Sequence, residues 1–447
     1  MSTPEVPSPS LAWTRQIGSS EYDHAEDMAV DAFGNIYLAG HSRGQMGASS
    51  NNKEDSWIAK FNAQGNLLWK EQFGSDKNDF VQGIATDHFG FLYACGQTTG
   101  SKVDAQHQGG TDAWLAKYDP DGRRIWIRQI GTESEDAGHG IAVNLRGEIY
   151  VAGYTTGDLG TRGEENPDTD AWIARYDNHG NQIWLKHVGS KAIDIAYDIA
   201  VDDFGHVYMG GYTRGRISTN SEDRGSKQIW VMQLDDKGEQ LWLKEFGAGG
   251  KDDEVRSIAT DNQGNLFVTG MTYLERTVDG VELLKRNVFV TKIRSNGTIH
   301  WNRFLGSEET DVAYGIATDP MGNVFVTGFT KGEIEEGKAG GNSDAFVVKY
   351  NTAGEKLWVS QIATSGEEKG EAVAVDSFGN IYVAGLTEGR LDQGQTYGTG
   401  ADAWLSKYFG SVTEDEKFHL LSDYLQQINN RMARIEVRQT NTYHNSI

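Results

Sequence analysis

Residues 315–328 read Gly-Ile-Ala-Thr-Asp-Pro-Met-Gly-Asn-Val-Phe-Val-Thr-Gly, which is two strand-like runs joined by Asp-Pro-Met-Gly. Aspartate favours the start of a tight turn and glycine accepts a left-handed backbone, so the phrase predicts a β-hairpin. The phrase returns along the chain, with asparagine replacing the aspartate in one copy. Its turn glycines are Gly34, Gly90, Gly147, Gly205, Gly264, Gly322 and Gly379. The chain is therefore built from seven copies of one unit.

Two series of aromatic residues mark two further strands in each unit. The first series begins phrases such as Trp-Ile-Arg-Gln-Ile-Gly and recurs every 56 to 59 residues, at Trp13, Trp69, Trp126, Trp184, Trp242, Trp301 and Trp358. The second stands in Asp-Ala-Trp-like phrases, at Trp57, Trp114, Trp172, Trp230, Phe289, Phe346 and Trp404. Each unit thus supplies four antiparallel strands, named a to d from the inside outward. Four-stranded blades repeated radially make a propeller.

The order of strands at the two ends predicts how the ring closes. Residues 11–18 form a lone d strand, whereas the last unit stops after a c strand that ends at Tyr408. The alternative, a solenoid, needs distinct capping repeats, and the sequence contains none. We therefore predict an all-β fold, a seven-bladed β-propeller over residues 11–410 that the N-terminal strand closes. Residues 1–10 are expected to form a disordered arm.

Three phrases resemble a known family. Gly-Ile-Ala-Thr-Asp, Gly-Asn-Val-Phe-Val-Thr-Gly and Asp-Ala-Trp-Leu-Ala-Lys-Tyr are similar to the bacterial SBBP β-propeller repeat family, and the resemblance covers residues 11–410. The resemblance implies a bacterial propeller, often at the cell surface, and mostly without assigned chemistry. This chain departs from surface members because its N-terminus has neither the basic start nor the apolar run of a secretory signal.

Charge and composition limit the classes of partner. The formal net charge is −23, which repels phosphate backbones and anionic lipid, so we expect no nucleic-acid partner and no membrane insertion. No run reaches transmembrane length. The protein is therefore expected to be cytoplasmic or associated with a particle. The single cysteine, Cys95, is predicted to be a buried thiol.

The sequence after Tyr408 predicts a short α-helix over residues 411–447. Residues 413–416 form a capping box, Thr-Glu-Asp-Glu. Apolar residues then recur at spacings of three and four, at Phe418, Leu421, Leu425, Ile428, Met432 and Ile435. Either this stripe docks on the protein's own propeller, or it forms a coil of three or four chains or inserts into a partner.

A carboxylate lies eight residues before every a–b turn. These seven residues are Asp23, Asp79, Asp136, Asp194, Asp253, Asp311 and Glu368. As a ring at the channel mouth they could bind a cation, with His24 or His139 joining the site. A structural role, capping backbone N–H groups at the entry to each a strand, is favoured because the residue repeats in every blade. No resident cofactor and no catalytic residue is predicted, because the histidines do not recur in phase and no phosphate-binding glycine loop precedes a helix.

The loops between b and c strands carry the functional prediction. They are long and unlike one another, at 41–54, 97–111, 154–169, 212–227, 271–286, 329–343 and 386–401. Diverse loops on a rigid frame favour recognition, so we predict a non-enzymatic protein that binds a protein or a glycan through this face. A phage or contractile-injection particle is one setting. The alternatives are a glycan lyase or hydrolase, which a channel pocket of His, Arg, Tyr and carboxylates would favour, and a cytoplasmic interaction scaffold.

Overall fold

The computed structural model describes residues 9–46, 53–100, 109–160, 168–219, 225–247, 251–278, 281–392 and 400–409. Within these ranges the regular structure consists of 28 β strands in seven sheets, each with four strands. The prediction of an all-β, seven-bladed propeller is confirmed. The predicted helix over 411–447, including the stripe from Phe418 to Ile435, lies outside the described residues, as do residues 1–8 of the predicted arm. None of the described residues belongs to a helix that could cross a membrane.

Each sheet is an antiparallel meander of a, b, c and d strands. The a strands are β2 Asp23–Val30, β6 Asp79–Thr86, β10 Asp136–Val143, β14 Asp194–Val201, β18 Glu254–Thr260, β22 Asp311–Thr318 and β26 Glu368–Val375. The b strands are β3 Ile36–Ser42, β7 Leu92–Thr98, β11 Ile149–Thr155, β15 Val207–Thr213, β19 Leu266–Val278, β23 Val324–Thr330 and β27 Ile381–Thr387. The c strands are β4 Asp55–Phe61, β8 Asp112–Tyr118, β12 Asp170–Tyr176, β16 Gln228–Leu234, β20 Val281–Ile293, β24 Asp344–Tyr350 and β28 Asp402–Phe409. The d strands are β5 Leu67–Phe73, β9 Arg124–Ile130, β13 Gln182–Val188, β17 Gln240–Phe246, β21 Ile299–Leu305, β25 Lys356–Ile362 and β1 Ser10–Ile17.

The seventh sheet takes its d strand from the start of the described chain. Its strand order is β1-β28-β27-β26, and β1 pairs antiparallel with β28, with Gln16 opposite Trp404. The first and seventh sheets also pack on each other, because Met28 belongs to the same apolar cluster as Ala372 and Leu405. The hydrophobic core consists of such clusters between neighbouring sheets.

The a–b turns have the predicted chemistry. Asp31 Oδ1 accepts hydrogen bonds from the backbone N–H groups of Phe33 and Asn35, each at 2.9 Å. Gly34 has a φ of 79°, in the left-handed region that a side chain disfavours. Asn144 makes the equivalent contacts in the third blade through its amide oxygen. One hairpin geometry therefore repeats around the ring.

The prediction of a loop at 271–286 is wrong. Strands β19 and β20 continue through most of this range as a long ladder, with Met271 opposite Val288 and Val278 opposite Val281. The segment contains Thr272, Tyr273, Thr277 and Val278, which are residue types that favour strands. The loop was predicted because the equivalent segments of the other six blades are predicted to be loops. The residues of this segment themselves favour strand.

The two aromatic series pack as predicted between blades. Trp57, Trp114, Trp172, Trp230 and Trp404 of the c strands are fully buried. Five of the d-strand tryptophans donate a hydrogen bond to a turn of the next blade, as Trp69 Nε1 does to the carbonyl of Pro120 at 3.0 Å. Cys95 is buried, as predicted, and forms no disulfide.

Candidate functional site: the central channel

A β-bulge interrupts every a strand at the same position. The pairing register skips one residue on each a strand, and a bulge leaves its extra residue unpaired and changes the direction of its side chain. The skipped residues are Glu26, Gln82, His139, Tyr197, Arg256, Tyr314 and Glu371. All seven line a cavity of about 300 Å³ in the central channel. We call these residues the bulge ring.

A glycine of each b strand makes room for the bulge. A Cβ atom on Gly153 would lie only 1.9 Å from the carbonyl oxygen of Ala137, on the neighbouring a strand. Gly40, Gly96, Gly211, Gly270, Gly328 and Gly385 stand at the equivalent positions with equally close contacts. The glycine that ends each repeated phrase is therefore required by the approach of two backbones.

Sequence reasoning missed the bulge ring although a signal was present. Three residues after each of the seven carboxylates predicted at the channel mouth, the sequence has Glu, Gln, His, Tyr, Arg, Tyr and Glu in successive blades. The carboxylate position itself carries an acid in every blade. In the loops, variation between otherwise similar repeats was taken to indicate a recognition surface. The same reasoning applies to this position in the a strands, where the residue differs from blade to blade.

Blades three to six contribute a cationic and aromatic side of the channel. The Arg256 guanidinium lies 4.7 Å from the ring centroid of Tyr197 and 5.8 Å from that of Tyr314, in the sixth blade. It also forms an ion pair with the buried carboxylate of Glu254, at 2.6 Å. The His139 ring stacks on Tyr197 with an interplanar angle of 10°. These contacts fix the positive charge between two phenol rings.

Burial sets the protonation of these groups. Burial, with the charge of Arg256 adding to it, lowers the pKa of His139 to about 4, although a hydrogen bond with the Ala196 carbonyl opposes the shift. His139 is therefore neutral at neutral pH. Its Nδ1 lies 3.0 Å from that carbonyl, so Nδ1 carries the hydrogen and Nε2 is the acceptor. Burial also raises the pKa values of Tyr197 and Tyr314, which therefore stay protonated as phenols.

The opposite side of the channel, from the seventh and first blades, carries carboxylates and imidazoles. His24 Nδ1 lies 3.0 Å from Glu26 Oε1, and His24 Nε2 lies 3.2 Å from Glu371 Oε1. His41 Nδ1 lies 3.3 Å from Glu26 Oε1. Burial alone would lower the pKa of His24, but the two glutamates outweigh it and raise that pKa to about 10. Without a metal ion, His24 is therefore an imidazolium that links the first and seventh blades.

Two aspartates that follow the bulge ring tie neighbouring blades together. Asp27 Oδ2 accepts the N–H of Ile84, in the next blade, at 2.7 Å. Asp198 Oδ2 accepts the N–H of Ile258 and the hydroxyl of Ser257, each at 2.8 Å. Burial raises the pKa of Asp27 to about 7 and that of Asp198 to about 6, although these hydrogen bonds oppose the shifts.

The seven ring carboxylates predicted at the channel mouth lie apart from this cavity. They are buried, and most accept hydrogen bonds from the loop residue four positions before them, as Asp23 does from the N–H and hydroxyl of Ser19. The equivalent contacts are made by Asp79, Asp136, Asp194, Asp311 and Glu368. Asp253 accepts from the Thr272 hydroxyl at 2.6 Å. These contacts suit loop capping, and cation binding by this ring stays a prediction.

The a–b turns expose large apolar side chains on the other end of the channel. The third turn position carries Phe33, Phe89, Phe204, Met321 and Phe378, which are 41–70% exposed. The remaining two blades carry Arg146 and Gln263 there. We call the surface formed by the four phenylalanines and Met321 the turn-face ring. Of the seven predicted b–c loops, residues 329–343 are described completely, whereas 47–52, 101–108, 161–167, 220–224, 279–280 and 393–399 lie outside the described residues.

Seven sheets around a lined channel define the chain as a β-propeller protein. Six segments match the SBBP family model, a beta-propeller repeat, at residues 12–45, 68–101, 125–160, 241–273, 301–335 and 357–392. The chain is therefore a repeat protein whose repeats match the SBBP family.

Two curated relatives are similar over much of the chain. The uncharacterized WD repeat-containing protein L264 of Acanthamoeba polyphaga mimivirus is 21% identical over 499 aligned residues, which cover 84% of this chain and 36% of that protein. Regulatory protein FlaEY of Caulobacter vibrioides is 24% identical over 332 residues, which cover 65% of this chain and 34% of that protein. The chain therefore spans about a third of the length of these relatives.

Two solved structures align with this chain at low scores. The Pan2 WD40 domain of Neurospora crassa aligns with a TM-score of 0.49 at 12% identity, covering 88% of this chain and 95% of that domain. Puromycin hydrolase aligns with a TM-score of 0.46 at 12% identity, covering 85% of this chain and 53% of that enzyme.

Proposed function

We propose that the chain is a non-enzymatic protein-interaction propeller that contacts its partner with the turn-face ring. The observation that supports this is the exposure of Phe33, Phe89, Phe204 and Phe378, at 54–70%, on turns held rigid by Asx hydrogen bonds and glycine. Large exposed apolar side chains gathered on one surface are typical of protein-binding sites. Aromatic residues are also enriched at binding hot spots, because they bury much area with little loss of conformational entropy.

The charge of the chain indicates the kind of partner. With a net charge of −23, the protein attracts basic surfaces and repels acidic ones. The partner that fits is a protein with an apolar patch flanked by lysine or arginine. The curated relatives are named as a WD repeat-containing protein and a regulatory protein, and neither name describes an enzyme.

Affinity capture with a matched control tests the proposal. In the turn variant, Phe33, Phe89, Phe204 and Phe378 are each replaced by Gln, the residue that the fifth blade carries there as Gln263. The rim variant replaces Leu67, Ile125, Ile183 and Leu241, which are 49–50% exposed on d strands, by Gln. We expect the turn variant to lose a partner that the wild type and the rim variant both retain. Equal retention by both variants would contradict the proposal.

The b–c loops and the segment 411–447 extend this proposal. The b–c loop face offers a second contact surface, for a protein or a glycan, on the opposite end of the rigid frame. The segment 411–447 is proposed to assemble three or four copies, as in a phage or contractile-injection particle. Light scattering of the full chain, and of a chain shortened at residue 410, tests the assembly. A single-chain mass for both would overturn it.

A second candidate function, a glycan lyase, is favoured by the bulge ring. His139, Tyr197 and Arg256 gather beside carboxylates in one cavity, which is the arrangement expected of the enzyme alternative. Arg256 could neutralise the carboxylate of a uronic acid, and neutral His139 could remove the proton next to it. A tyrosine phenol would then protonate the departing glycosidic oxygen as the carbon–oxygen bond breaks and a carbon–carbon double bond forms.

The small volume of the cavity and the ion pair that Arg256 already forms favour the binding proposal over the enzyme. A volume of about 300 Å³ is at the lower end of ligand pockets and suits one sugar ring more than a polymer. Arg256 is already paired with Glu254. Ultraviolet absorbance of unsaturated uronates after incubation with polyuronates tests the candidate. Activity in the wild type that is lost in His139→Gln would establish the lyase, and no absorbance from the wild type would exclude it.

A further inference from the structure

We propose that His24, Glu26 and His41 bind one divalent transition-metal ion of the zinc class, on the wall of the channel in the first blade. The site lies away from the turn-face ring, so this proposal does not depend on the protein-binding proposal. The ligand set is two imidazoles and one carboxylate, which suits zinc and leaves a fourth position for water. Of the three residues, Glu26 lines the channel cavity.

Strand pairing and the bulge bring these three side chains together. His24 on β2 is directly opposite His41 on β3, so the two imidazoles lie on the same face of the sheet. The bulge at Glu26 places its carboxylate next to both rings. A regular strand would set residues 24 and 26 on one face but further apart along it.

The distances are close to those of a bound site. One ligand atom from each of the three residues can be chosen so that all lie within 4.8 Å of one another. Both imidazole Nδ1 atoms approach the same Glu26 oxygen, at 3.0 and 3.3 Å. In a tetrahedral site with metal–ligand bonds of about 2.0–2.1 Å, neighbouring ligand atoms are about 3.3 Å apart. Only small side-chain movements are therefore needed to admit an ion between them.

The surroundings support coordination in two further ways. His24 directs its other nitrogen, Nε2, at Glu371 Oε1, 3.2 Å away, which is the carboxylate–histidine arrangement that orients metal-binding imidazoles. His41 has a side chain only 10% exposed, and its Nδ1 makes no hydrogen bond to any described residue. Its ring packs edge-on against Phe80. Its contact with Glu26 Oε1, at 3.3 Å, lacks the alignment of a good hydrogen bond, and a metal ion between the two atoms would give this buried nitrogen a well-aligned partner.

The cluster is peculiar to the first blade. The other a strands carry Phe80, Ala137, Ile195, Glu254, Val312 and Lys369 where β2 has His24. The other b strands carry Gln97, Tyr154, Tyr212, Met271, Phe329 and Leu386 where β3 has His41. The fold does not require a histidine at either position. The competing explanation is a metal-free ion pair of His24 with Glu26 and Glu371, and the experiment below separates the two.

Calorimetric titration with zinc chloride tests the site. The full chain, without a histidine tag, is stripped with a chelator, dialysed and titrated at pH 7.5, and its thermal unfolding is measured with and without zinc. We expect one zinc per chain and a higher unfolding midpoint with zinc. His41→Phe and Glu26→Gln introduce the residues that other blades carry as Phe329 and Gln82. Each should weaken binding by more than about 100-fold, whereas Glu371→Gln should weaken it about 10–100-fold.

The controls make the outcome decisive. His179→Gln removes an exposed histidine and should leave zinc binding unchanged. Unfolding midpoints measured in chelator show whether each variant is folded. If His41→Phe does not fold, the visible spectrum of the cobalt-loaded wild type tests the site instead. We expect the intense bands of tetrahedral cobalt. Absence of zinc binding, unchanged binding in the folded variants, or a weak octahedral cobalt spectrum would overturn the proposal.

Discussion

Lys407, in the seventh blade, donates a hydrogen bond from Nζ to the carbonyl oxygen of Ala63, in the first blade, at 3.2 Å. The same contact joins other neighbouring blades. Lys60 donates to the Pro120 carbonyl at 2.9 Å, and Lys117 donates to the Asn178 carbonyl at 3.2 Å. The junction between the first and seventh blades is therefore built like the junctions within the chain.

This relationship predicts equal effects of two matched substitutions. Lys407→Met and Lys60→Met keep the side-chain stem, and each removes one hydrogen bond and one contact of an ammonium with a tyrosine ring. Lys407→Met also removes a more distant contact with the Phe409 ring, at 5.9 Å. Each should lower the free energy of unfolding by about 1–2 kcal/mol, measured by urea denaturation. A ring that opens in solution between its first and last blades would show the loss for Lys60→Met alone.

The glycine facing each bulge should be intolerant of a methyl group. Gly153→Ala would place Cβ 1.9 Å from a backbone oxygen, so the two strands must separate, and we expect a loss of more than about 3 kcal/mol in unfolding free energy. The control is Gly138→Ala in the same blade, where the nearest atom is 3.5 Å away and three other blades carry Ala25, Ala196 and Ala313. A small, similar effect of both changes would contradict the assigned bulge.

Asp198 should make stability depend on pH. Its pKa is about 6 when folded, because of burial, against 3.8 for the unfolded group. Between these values the folded state binds more protons, so stability falls as pH rises from about 4 to 6, and the whole loss is present above pH 6. The loss amounts to about 2–3 kcal/mol.

Two variants isolate this contribution. Asp198→Asn cannot ionise, so its unfolding free energy should fall less than that of the wild type between pH 4 and pH 7. Asp203→Asn makes the same change in charge at an exposed turn residue and should keep the slope of the wild type. Parallel pH profiles for wild type and Asp198→Asn would show that Asp198 stays ionised at low pH.

Cys95 should be chemically inert in the folded protein. Burial, with Asp27 and Asp198 adding to it, raises the pKa of this thiol well above its usual range, and the side chain has no exposed surface. An excess of a thiol reagent should therefore label no cysteine in the native protein and one per chain in denaturant. Rapid labelling under native conditions would mean that the second blade opens readily.

The repeat period predicted the blade count and the strand order, because each copy of the phrase carries its own turn chemistry. The repeat period alone does not locate the bulge ring, because the skipped residue depends on hydrogen-bond register. Only the variation at that strand position marked it in the sequence. The contact between His24 and His41 likewise follows from pairing across a turn. The same reasoning erred at residues 271–286, where Thr277 and Val278 favour strand more strongly than equivalence to other loops favours a loop.

Hydroxyl-radical footprinting of the partner complex shows whether the partner binds through the turn-face ring. Oxidation of each exposed side chain is compared between the free and the bound protein. We expect protection of Phe33, Phe89, Phe204 and Phe378, with unchanged oxidation of the d-strand residues Leu67, Ile125 and Leu241. Protection confined to the b–c loop at 329–343 or to the d strands, with the four phenylalanines oxidised as in the free protein, would contradict this expectation.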